Sequence, residues 1–230
     1  MPSIYDLKPT FQNLLRPLVR GLARSGISAN QVTVAALLLS LATGAAIAWQ
    51  PDQRAWLLFL PGVLFLRMAL NAVDGILARE HHQKSRLGAV LNELSDVFSD
   101  AALYLPLALA PGFSGPLVVG IVLLAAVSEM TGVLMQTLGA SRRYDGPMGK
   151  SDRAFVFGAL GLGLGLGMPT GTWLTWLLTL VLALLAWTIL NRARRGLAEG
   201  EDQVVRRDAP SATLPPRGAV RDEDANRGYN

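Results

Sequence analysis

Residues 71–100 read Asn71-Ala-Val-Asp74-Gly75-Ile-Leu-Ala78-Arg79, then eight residues, then Gly88-Ala-Val-Leu-Asn92-Glu93-Leu-Ser-Asp96-Val-Phe-Ser-Asp100. Polar and acidic residues recur here at helical spacing, at the ends of segments that are otherwise apolar. Asn71 and Asp74 are three residues apart, so they share one helix face. Asn92, Asp96 and Asp100 are four apart and form a stripe on the next helix. A short basic turn joins the two helices, so we expect the stripes to face each other across a hairpin.

The composition is that of a membrane protein. The 230 residues are 51% hydrophobic and 17% charged, with a mean hydropathy of +0.34, which is too apolar for an ordinary soluble domain. There is no cysteine, which excludes disulfides and thiolate metal sites. The net charge of +4 is interpreted as a topology signal and an attraction for anionic membrane lipids. Nothing resembles a nucleic-acid-binding module, so nucleic acid is not an expected partner.

Six apolar segments predict an all-α, polytopic membrane protein with six transmembrane helices. Each segment is near the roughly 20 residues that cross the hydrocarbon core, although the fifth is short and rich in glycine. The small residues of that fifth segment predict either close packing against a neighbouring helix or a re-entrant segment. The six segments are 31–49, 55–79, 87–110, 116–139, 153–168 and 172–191.

The two ends of the chain differ from this core. Residues 1–27 are interpreted as an amphipathic interfacial helix with leucines on one face and arginines on another, and a helix packed on the bundle is the alternative. Ser28 or Asn30 would cap the next helix. Residues 28–196 form the six-span domain. Residues 197–230 are polar and aperiodic, which predicts a disordered cytoplasmic tail.

The placement of basic residues predicts the orientation in the membrane. The turn at 79–87, the loop at 140–153 and the residues after the last span are rich in Arg and Lys. The opposite loops, near 50–54, 111–115 and 167–171, hold one basic residue, Arg54. By the positive-inside rule, both termini and the polar stripes lie on the cytoplasmic side of the membrane, which is the cell inner membrane if the protein is bacterial.

The polar stripes suit metal-assisted chemistry. Converging carboxylates and amides can hold a hard divalent cation such as Mg²⁺ or Mn²⁺, and carboxylates at membrane depth indicate a functional site. Such a cation can neutralise a pyrophosphate during phosphoryl transfer. Gly75 and Ala78 would leave one helix face bare enough for a nucleotide, and Arg79 could pair with a carboxylate or a phosphate.

The spacing of these residues resembles the signature of the CDP-alcohol phosphotransferase family, Asp-x2-Asp-Gly-x2-Ala-Arg-x8-Gly-x3-Asp-x3-Asp. Every spacing matches, whereas the first and third acidic positions are Asn71 and Asn92. The resemblance extends over about residues 25–195 and includes Asn30-Gln-Val-Thr33 before the first span. A long spaced motif at the expected place in the topology is a specific signal. The residues that match in identity are Asp74, Gly75, Ala78, Arg79, Gly88 and Asp96.

The resemblance implies a transferase of phospholipid biosynthesis. It implies transfer of a phosphatidyl group from CDP-diacylglycerol to a hydroxyl acceptor with release of CMP, two divalent metals that hold the pyrophosphate, and a homodimer. Asp96 would be the catalytic base. The implied metal ligands are Asn71, Asp74, Asn92 and Asp96, and the implied CDP-lipid-binding residues are Asp74, Gly75, Ala78, Arg79 and Gly88.

The two asparagines leave several hypotheses open. The site could hold one metal, or two metals completed by Glu93 or by Asp100, which lies one turn beyond Asp96. A catalytically degenerate relative that binds lipid or another membrane protein is the alternative. A small transporter that uses Arg67, Glu129 and the acidic stripe is a further rival, which the absence of paired half-repeats disfavours.

A basic segment at 142–153 is the candidate acceptor site. Its side chains could bind a phosphate on the acceptor, with glycerol 3-phosphate as the simplest case, or they could be plain positive-inside charge. Arg67 and Glu129, which both lie inside spans, could pair with each other, or Arg67 could contact a substrate phosphate. His81 and His82 are expected to be solvated. The four candidate acceptor-binding residues are Arg142, Arg143, Lys150 and Arg153.

Overall fold

The computed structural model describes the backbone of residues 4–208 and the side chains of residues 10–201. Every regular element in this part of the chain is a helix, which confirms the all-α prediction. A short 3₁₀ turn extends α4 over Leu105–Leu109, and another extends α5 over Met135–Leu138. The helices are α1 (Ile4–Arg24), α2 (Ala29–Trp49), α3 (Arg54–Glu80), α4 (Arg86–Tyr104), α5 (Gly115–Leu134), α6 (Lys150–Gly165) and α7 (Thr172–Asp208).

Four helices of the described chain are long and apolar enough to cross a membrane. They include Ala29–Trp49, Arg54–Glu80, Gly115–Leu138 and Thr172–Glu201. Helix α4 is more polar, because Glu93, Asp96 and Asp100 lie along it. Helix α6 has only 16 residues, fewer than the roughly 20 that span the hydrocarbon core. The prediction of six spans is therefore supported for four segments, and it stays a prediction for α4 and α6.

The predicted helix cap before the first span is Ser28. Its hydroxyl accepts a hydrogen bond from the Gln31 amide (3.3 Å), and the Gln31 side chain accepts one from the Ser28 amide (2.8 Å). This reciprocal pair satisfies two amides that the helix itself leaves without partners. The Ala29 amide donates to Gln83 in the turn between α3 and α4, at 2.6 Å. The start of α2 is therefore held against the turn of the hairpin.

Helix α1 packs on the bundle through Val19, which is buried against Val73 and Leu77 of α3. Arg16 also forms an ion pair with Glu80 at 3.0 Å. Leu14, by contrast, is 75% exposed. The alternative of a helix packed on the bundle therefore describes α1, while its contact with a membrane surface stays a prediction.

Small residues bring the helices around the hairpin close together. A Cβ added at Gly44 of α2 would lie 1.9 Å from the carbonyl oxygen of Ala102 in α4, and one at Gly161 of α6 would lie 2.8 Å from the carbonyl oxygen of Leu57 in α3. Both distances are too short for a real side chain. The predicted close packing of the glycine-rich fifth segment is confirmed at Gly161, and this segment is a regular helix.

Buried charges are concentrated in one half of the bundle. Leu60, Leu107 and Leu164 belong to an apolar core in the half of the bundle that carries the loops at 50–53, 110–114 and 166–171. The other half carries the hairpin turn and contains many buried charges, including Asp74 and Asp96. We call this half the polar end of the bundle.

Helix α7 continues to Asp208, beyond the start of the expected disordered tail at residue 197. The Glu199 side chain accepts hydrogen bonds from the amide and the hydroxyl of Ser141, at 3.0 and 2.9 Å. The first residues of the expected tail are therefore helical and contact the loop at 139–149. The rest of the expected tail, 209–230, lies outside the described residues, and the division at 27 and 196 stays a prediction.

Candidate active site

A cavity of about 710 Å³ opens at the polar end between α2, α3 and α4. Gly75 and Ala78 form a bare stretch of its wall on α3, and Gly88 does the same at the start of α4. A Cβ at Gly88 would lie 2.8 Å from the Asn30 side-chain oxygen, so a larger residue here would displace that side chain. Most of the predicted site residues therefore surround one space. The predicted residues that line it are Asn71, Asp74, Gly75, Ala78, Arg79, Gly88, Asn92 and Arg142.

The two polar stripes face each other, as the helical spacing predicted. The Asn71 amide donates a hydrogen bond to Asp96 Oδ1 across the hairpin, at 3.0 Å. Asp74 is 4% exposed, and its Oδ2 accepts a hydrogen bond from the Thr33 hydroxyl at 2.6 Å. Thr33 had been part of the family resemblance without an assigned role. Its hydrogen bond fixes the orientation of the Asp74 carboxylate at the cavity wall.

Asp96 lies beyond the cavity wall and is paired with a lysine. Lys150 Nζ, at the start of α6, lies 2.6 Å from each Asp96 carboxylate oxygen. The Arg67 guanidinium donates to the Asp96 carbonyl oxygen at 3.0 Å and lies 3.6 Å from its Oδ1. Lys150 was a candidate for binding the acceptor. In the structure its ammonium neutralises the predicted catalytic carboxylate.

Asp100 faces away from the cavity, into a buried ion-pair cluster. One of its oxygens accepts from Arg67, and the other accepts from Arg153 Nε and Nη2 at 2.9 and 2.7 Å. Both guanidinium groups are almost fully buried, at 2% and 1% exposed. Both oxygens are therefore held by cations, which favours a structural role for Asp100, and the suggestion that it completes a metal site stays a prediction. Arg153 is likewise too deeply buried to bind an acceptor.

Glu129 of α5 is the second anion of this cluster. It contacts Arg153 at 3.1 Å, and it lies 3.4 Å from both Arg142 and Arg192. The hypothesis that Arg67 and Glu129 pair directly is wrong, because Arg67 contacts Asp96 and Asp100 instead. The role of Arg192 was missed, since its sequence context resembles ordinary positive charge after a span. We call Arg67, Asp100, Glu129, Arg153 and Arg192 the buried ion cluster.

The other basic residues of the 142–153 segment are also paired. Arg142 donates to Glu93 at 2.6 Å, which removes Glu93 as a free carboxylate. Arg143 contacts Asp145 (2.7 Å) and Glu199, outside the cavity lining. Burial raises the pKa of Asp145, but the hydrogen bonds from Arg195 and Arg143 outweigh it and hold that pKa below its usual value. Of the four candidate acceptor residues, Arg142 is the one that lines the cavity.

The donor set suits one divalent ion better than two. Two of the four ligand positions of the motif are carboxylates, Asp74 and Asp96, and the other two are amides. Lys150 already contacts both oxygens of Asp96. Among the described side chains, no group of three or more His, Cys, Asp or Glu residues is arranged to hold a metal. Asp74 with the amide oxygens of Asn71 and Asn92 could hold one hard cation.

Known proteins resemble this chain in sequence and in fold. A model of the CDP-alcohol phosphatidyltransferase family matches residues 27–193. The inner membrane protein YnbA of Escherichia coli strain K12 is 46% identical over 192 residues, which cover 84% of this chain and 95% of that protein. The structure of Mycobacterium tuberculosis phosphatidylinositol phosphate synthase in complex with manganese and citrate has a TM-score of 0.65 at 22% identity, covering 79% of this chain and 88% of that one. The same enzyme with CDP-DAG bound has a TM-score of 0.62 at 23% identity, covering 87% and 96%.

Proposed function

The chain belongs to the CDP-alcohol phosphatidyltransferase family, a family of membrane transferases of phospholipid synthesis. We propose that the protein transfers a phosphatidyl group from CDP-diacylglycerol to the hydroxyl of an alcohol acceptor and releases CMP. The observation that carries the proposal is the cavity that Asp74 and Asn92 both line, with Asn71 hydrogen-bonded to Asp96 across the same hairpin.

The lining of the cavity suits a donor that carries a nucleoside diphosphate. Gly75 and Ala78 carry no large side chains on the α3 wall, and the space beside Gly75 is occupied by the Arg79 guanidinium, so a nucleotide phosphate bound there would meet this cation. Arg79 and Lys84 add two positive charges to the lining, and the guanidinium can bind phosphate oxygens through two parallel hydrogen bonds. A synthase of similar fold whose structure has CDP-DAG bound supports the same donor class.

Asp96 is the proposed base. Its carboxylate would accept the proton of the acceptor hydroxyl as that oxygen attacks the phosphorus that carries the lipid. Lys150 and Asn71 hold the carboxylate in place through three contacts of 2.6–3.0 Å. A bound Mg²⁺ or Mn²⁺, held by Asp74 with Asn71 and Asn92, would supply charge neutralisation at the diphosphate.

The acceptor side of the proposal is narrower than the sequence suggested. Arg143 and Arg153 act in structural ion pairs, so Arg142 and Lys150 remain as groups that can meet an acceptor. A phosphorylated acceptor such as glycerol 3-phosphate would have to exchange with the Glu93 carboxylate at Arg142. Arg142→Gln is therefore expected to raise the KM for such an acceptor, whereas Arg143→Gln, on the neighbouring residue, leaves it unchanged.

The membrane setting is part of the same proposal. The chain is an integral membrane protein with at least the four apolar helices described above. We place the cavity and both termini on the cytoplasmic side, because Arg and Lys are concentrated in the loops at this end. A homodimer is proposed by analogy with the family. Introduced single cysteines, in this cysteine-free chain, would test the orientation through labelling from either side.

CMP release is the direct test. The protein, reconstituted with CDP-diacylglycerol, is offered a panel of phosphorylated and uncharged polyols, with and without Mg²⁺ or Mn²⁺. We expect metal-dependent CMP release with at least one acceptor and a loss of about 10²- to 10⁴-fold in Asp96→Asn, as for removal of a general base. CMP release that survives this substitution would remove Asp96 from its role.

A non-catalytic lipid-binding role is the second candidate. Two observations favour it: the two amides at acidic motif positions and the full occupation of the Asp96 carboxylate by Lys150. It predicts that the protein binds CDP-diacylglycerol and releases no CMP with any acceptor. The panel described above therefore separates the two candidates.

A further inference from the structure

The cavity and its surroundings lack the negative charge that two divalent cations need. The four motif positions carry two carboxylates instead of four, because Asn71 and Asn92 are uncharged. Carboxylates nearby do not make up the deficit. Glu93 is held by Arg142 at 2.6 Å, and Asp100 is held by Arg67 and Arg153.

Lys150 brings a positive charge to the carboxylate that a second cation would use. Its Nζ lies 2.6 Å from both oxygens of Asp96, so both oxygens already contact a cation. An ammonium group is a compact, strongly hydrated point charge with three donors, which allows it to satisfy both oxygens at once. The Asn71 amide adds another donor to the same carboxylate.

The position of Lys150 is fixed by the fold around it. Lys150 is the first residue of α6, and Arg153, one turn later, is anchored in the buried ion cluster. On the other side, the Met148 amide donates to Thr188 of α7 at 3.1 Å. Between these anchors the Lys150 backbone is held from both sides. The side chain is 26% exposed, and this backbone position keeps its ammonium within contact of Asp96.

We propose that the Lys150 ammonium takes the place of one of the two divalent cations, so that the protein binds a single divalent ion, at Asp74. The sum of charges supports this: Asp74, Asp96 and Lys150 together carry −1, which one dication turns to +1 and two would turn to +3. This proposal rests on the proposed function only in taking the cavity as a site for a divalent ion and a diphosphate. The number of ions bound can be measured without any substrate.

The test is the number of Mn²⁺ ions bound by the full-length protein in detergent, without lipid substrate, measured by the electron paramagnetic resonance signal of free Mn²⁺. We expect one ion per chain in the wild type and none in Asp74→Asn. Lys150→Met removes the ammonium from Asp96 and is expected to admit a second ion. The affinity for this second ion should be at least about tenfold higher than in the wild type, as is typical when a residue that contacts a metal ligand is changed.

Two further variants identify the cause. Lys150→Arg keeps the positive charge and is expected to stay at one ion. Lys150→Met combined with Asp96→Asn removes the carboxylate that the second ion needs and returns the count to one. Intrinsic tryptophan fluorescence melting shows that each variant is folded.

Three outcomes would overturn the proposal: two ions of similar affinity in the wild type, no ion in the wild type, or one ion in Lys150→Met. None of these measurements involves CMP release. If the protein binds one ion as expected but releases no CMP with any acceptor, the proposed function is refuted, whereas the proposed role of the Lys150 ammonium is not.

Discussion

Asp100→Asn tests whether Asp100 is structural or a metal ligand. The substitution removes the shared counterion of Arg67 and Arg153, which are 2% and 1% exposed. Breaking a buried ion pair by removing one partner costs about 3–5 kcal/mol, because the remaining charge stays buried without compensation. Arg153 retains Glu129 at 3.1 Å, whereas Arg67 retains only the Asp96 contacts. We therefore expect a destabilisation in this range.

Thermal unfolding in detergent, followed through the fluorescence of the five tryptophans, measures the effect. For a chain of this size about 1 kcal/mol corresponds to about 2–4 °C, so the expected fall in Tm is about 6–20 °C. The matched control is Asp96→Asn, one turn earlier on α4. Its partner Lys150 is 26% exposed and can turn towards water. Asp96→Asn is therefore expected to lower the free energy of unfolding by about 1–2 kcal/mol. This loss is smaller than for Asp100→Asn, even though Asp96→Asn removes the proposed catalytic base.

Two results would refute this reasoning. If Asp100→Asn keeps the wild-type Tm and loses the bound Mn²⁺, Asp100 is a metal ligand and the ion cluster has been misassigned. If Asp100→Asn and Asp96→Asn are destabilised equally, burial of the arginines does not determine the cost. The double variant Asp100→Asn/Arg67→Gln serves as a further check. Because it removes a charge of each sign, it is expected to regain part of the lost stability.

Three other predictions concern packing, orientation of the site and the loop at 139–149. Gly44→Ala places a methyl group 1.9 Å from a carbonyl oxygen of α4 and is expected to lower the free energy of unfolding by about 1–3 kcal/mol, measured by thermal unfolding. In the control Gly62→Ala the added methyl group has nothing within 4 Å, so the free energy of unfolding should stay unchanged or rise by up to about 1 kcal/mol. Thr33→Val removes the 2.6 Å hydrogen bond to the Asp74 carboxylate and is expected to weaken Mn²⁺ binding about 10- to 100-fold. The control is Ser40→Ala, since the Ser40 hydroxyl donates to the Ala36 carbonyl oxygen of its own helix, and it should leave Mn²⁺ binding unchanged. Because the pKa of Asp145 is lowered in the folded protein, its stabilisation of the loop is present above its unfolded pKa of about 3.9 and is lost as pH falls through the lower folded value. The protection factors of the loop amides, which are corrected for the intrinsic pH dependence of hydrogen exchange, should therefore fall at acid pH. In Asp145→Asn they should be low already at pH 7.

Helical spacing predicted the part of the site that depends on two neighbouring helices. Asn71 and Asp96 meet across the hairpin because a short turn leaves α3 and α4 little choice of arrangement. The glycines and Ala78 were placed on the cavity wall by the same local logic. The family signature added the chemical roles, which periodicity alone does not contain.

Spacing did not predict the partners that come from distant helices. Asp100 shares a face with Asp96, but the direction in which each carboxylate points depends on Arg67 in α3 and Arg153 in α6. Similarly, positive charges at 142–153 and at Arg192 follow the positive-inside rule and also fill specific structural positions. A topology signal and an ion pair use the same residue types, so the sequence alone does not separate them.

The buried ion cluster also constrains how the protein is made. Arg67 leaves the ribosome 33 residues before Asp100, and Arg153 follows 53 residues after that carboxylate. Arg192, which completes the neighbourhood of Glu129, comes only in the middle of α7, the last helix. Arg67 and Asp100 can pair once α4 has been made, whereas Glu129 meets Arg153 and Arg192 only after α6 and α7 have followed. We therefore expect the cluster to be complete only after the last helix has been inserted.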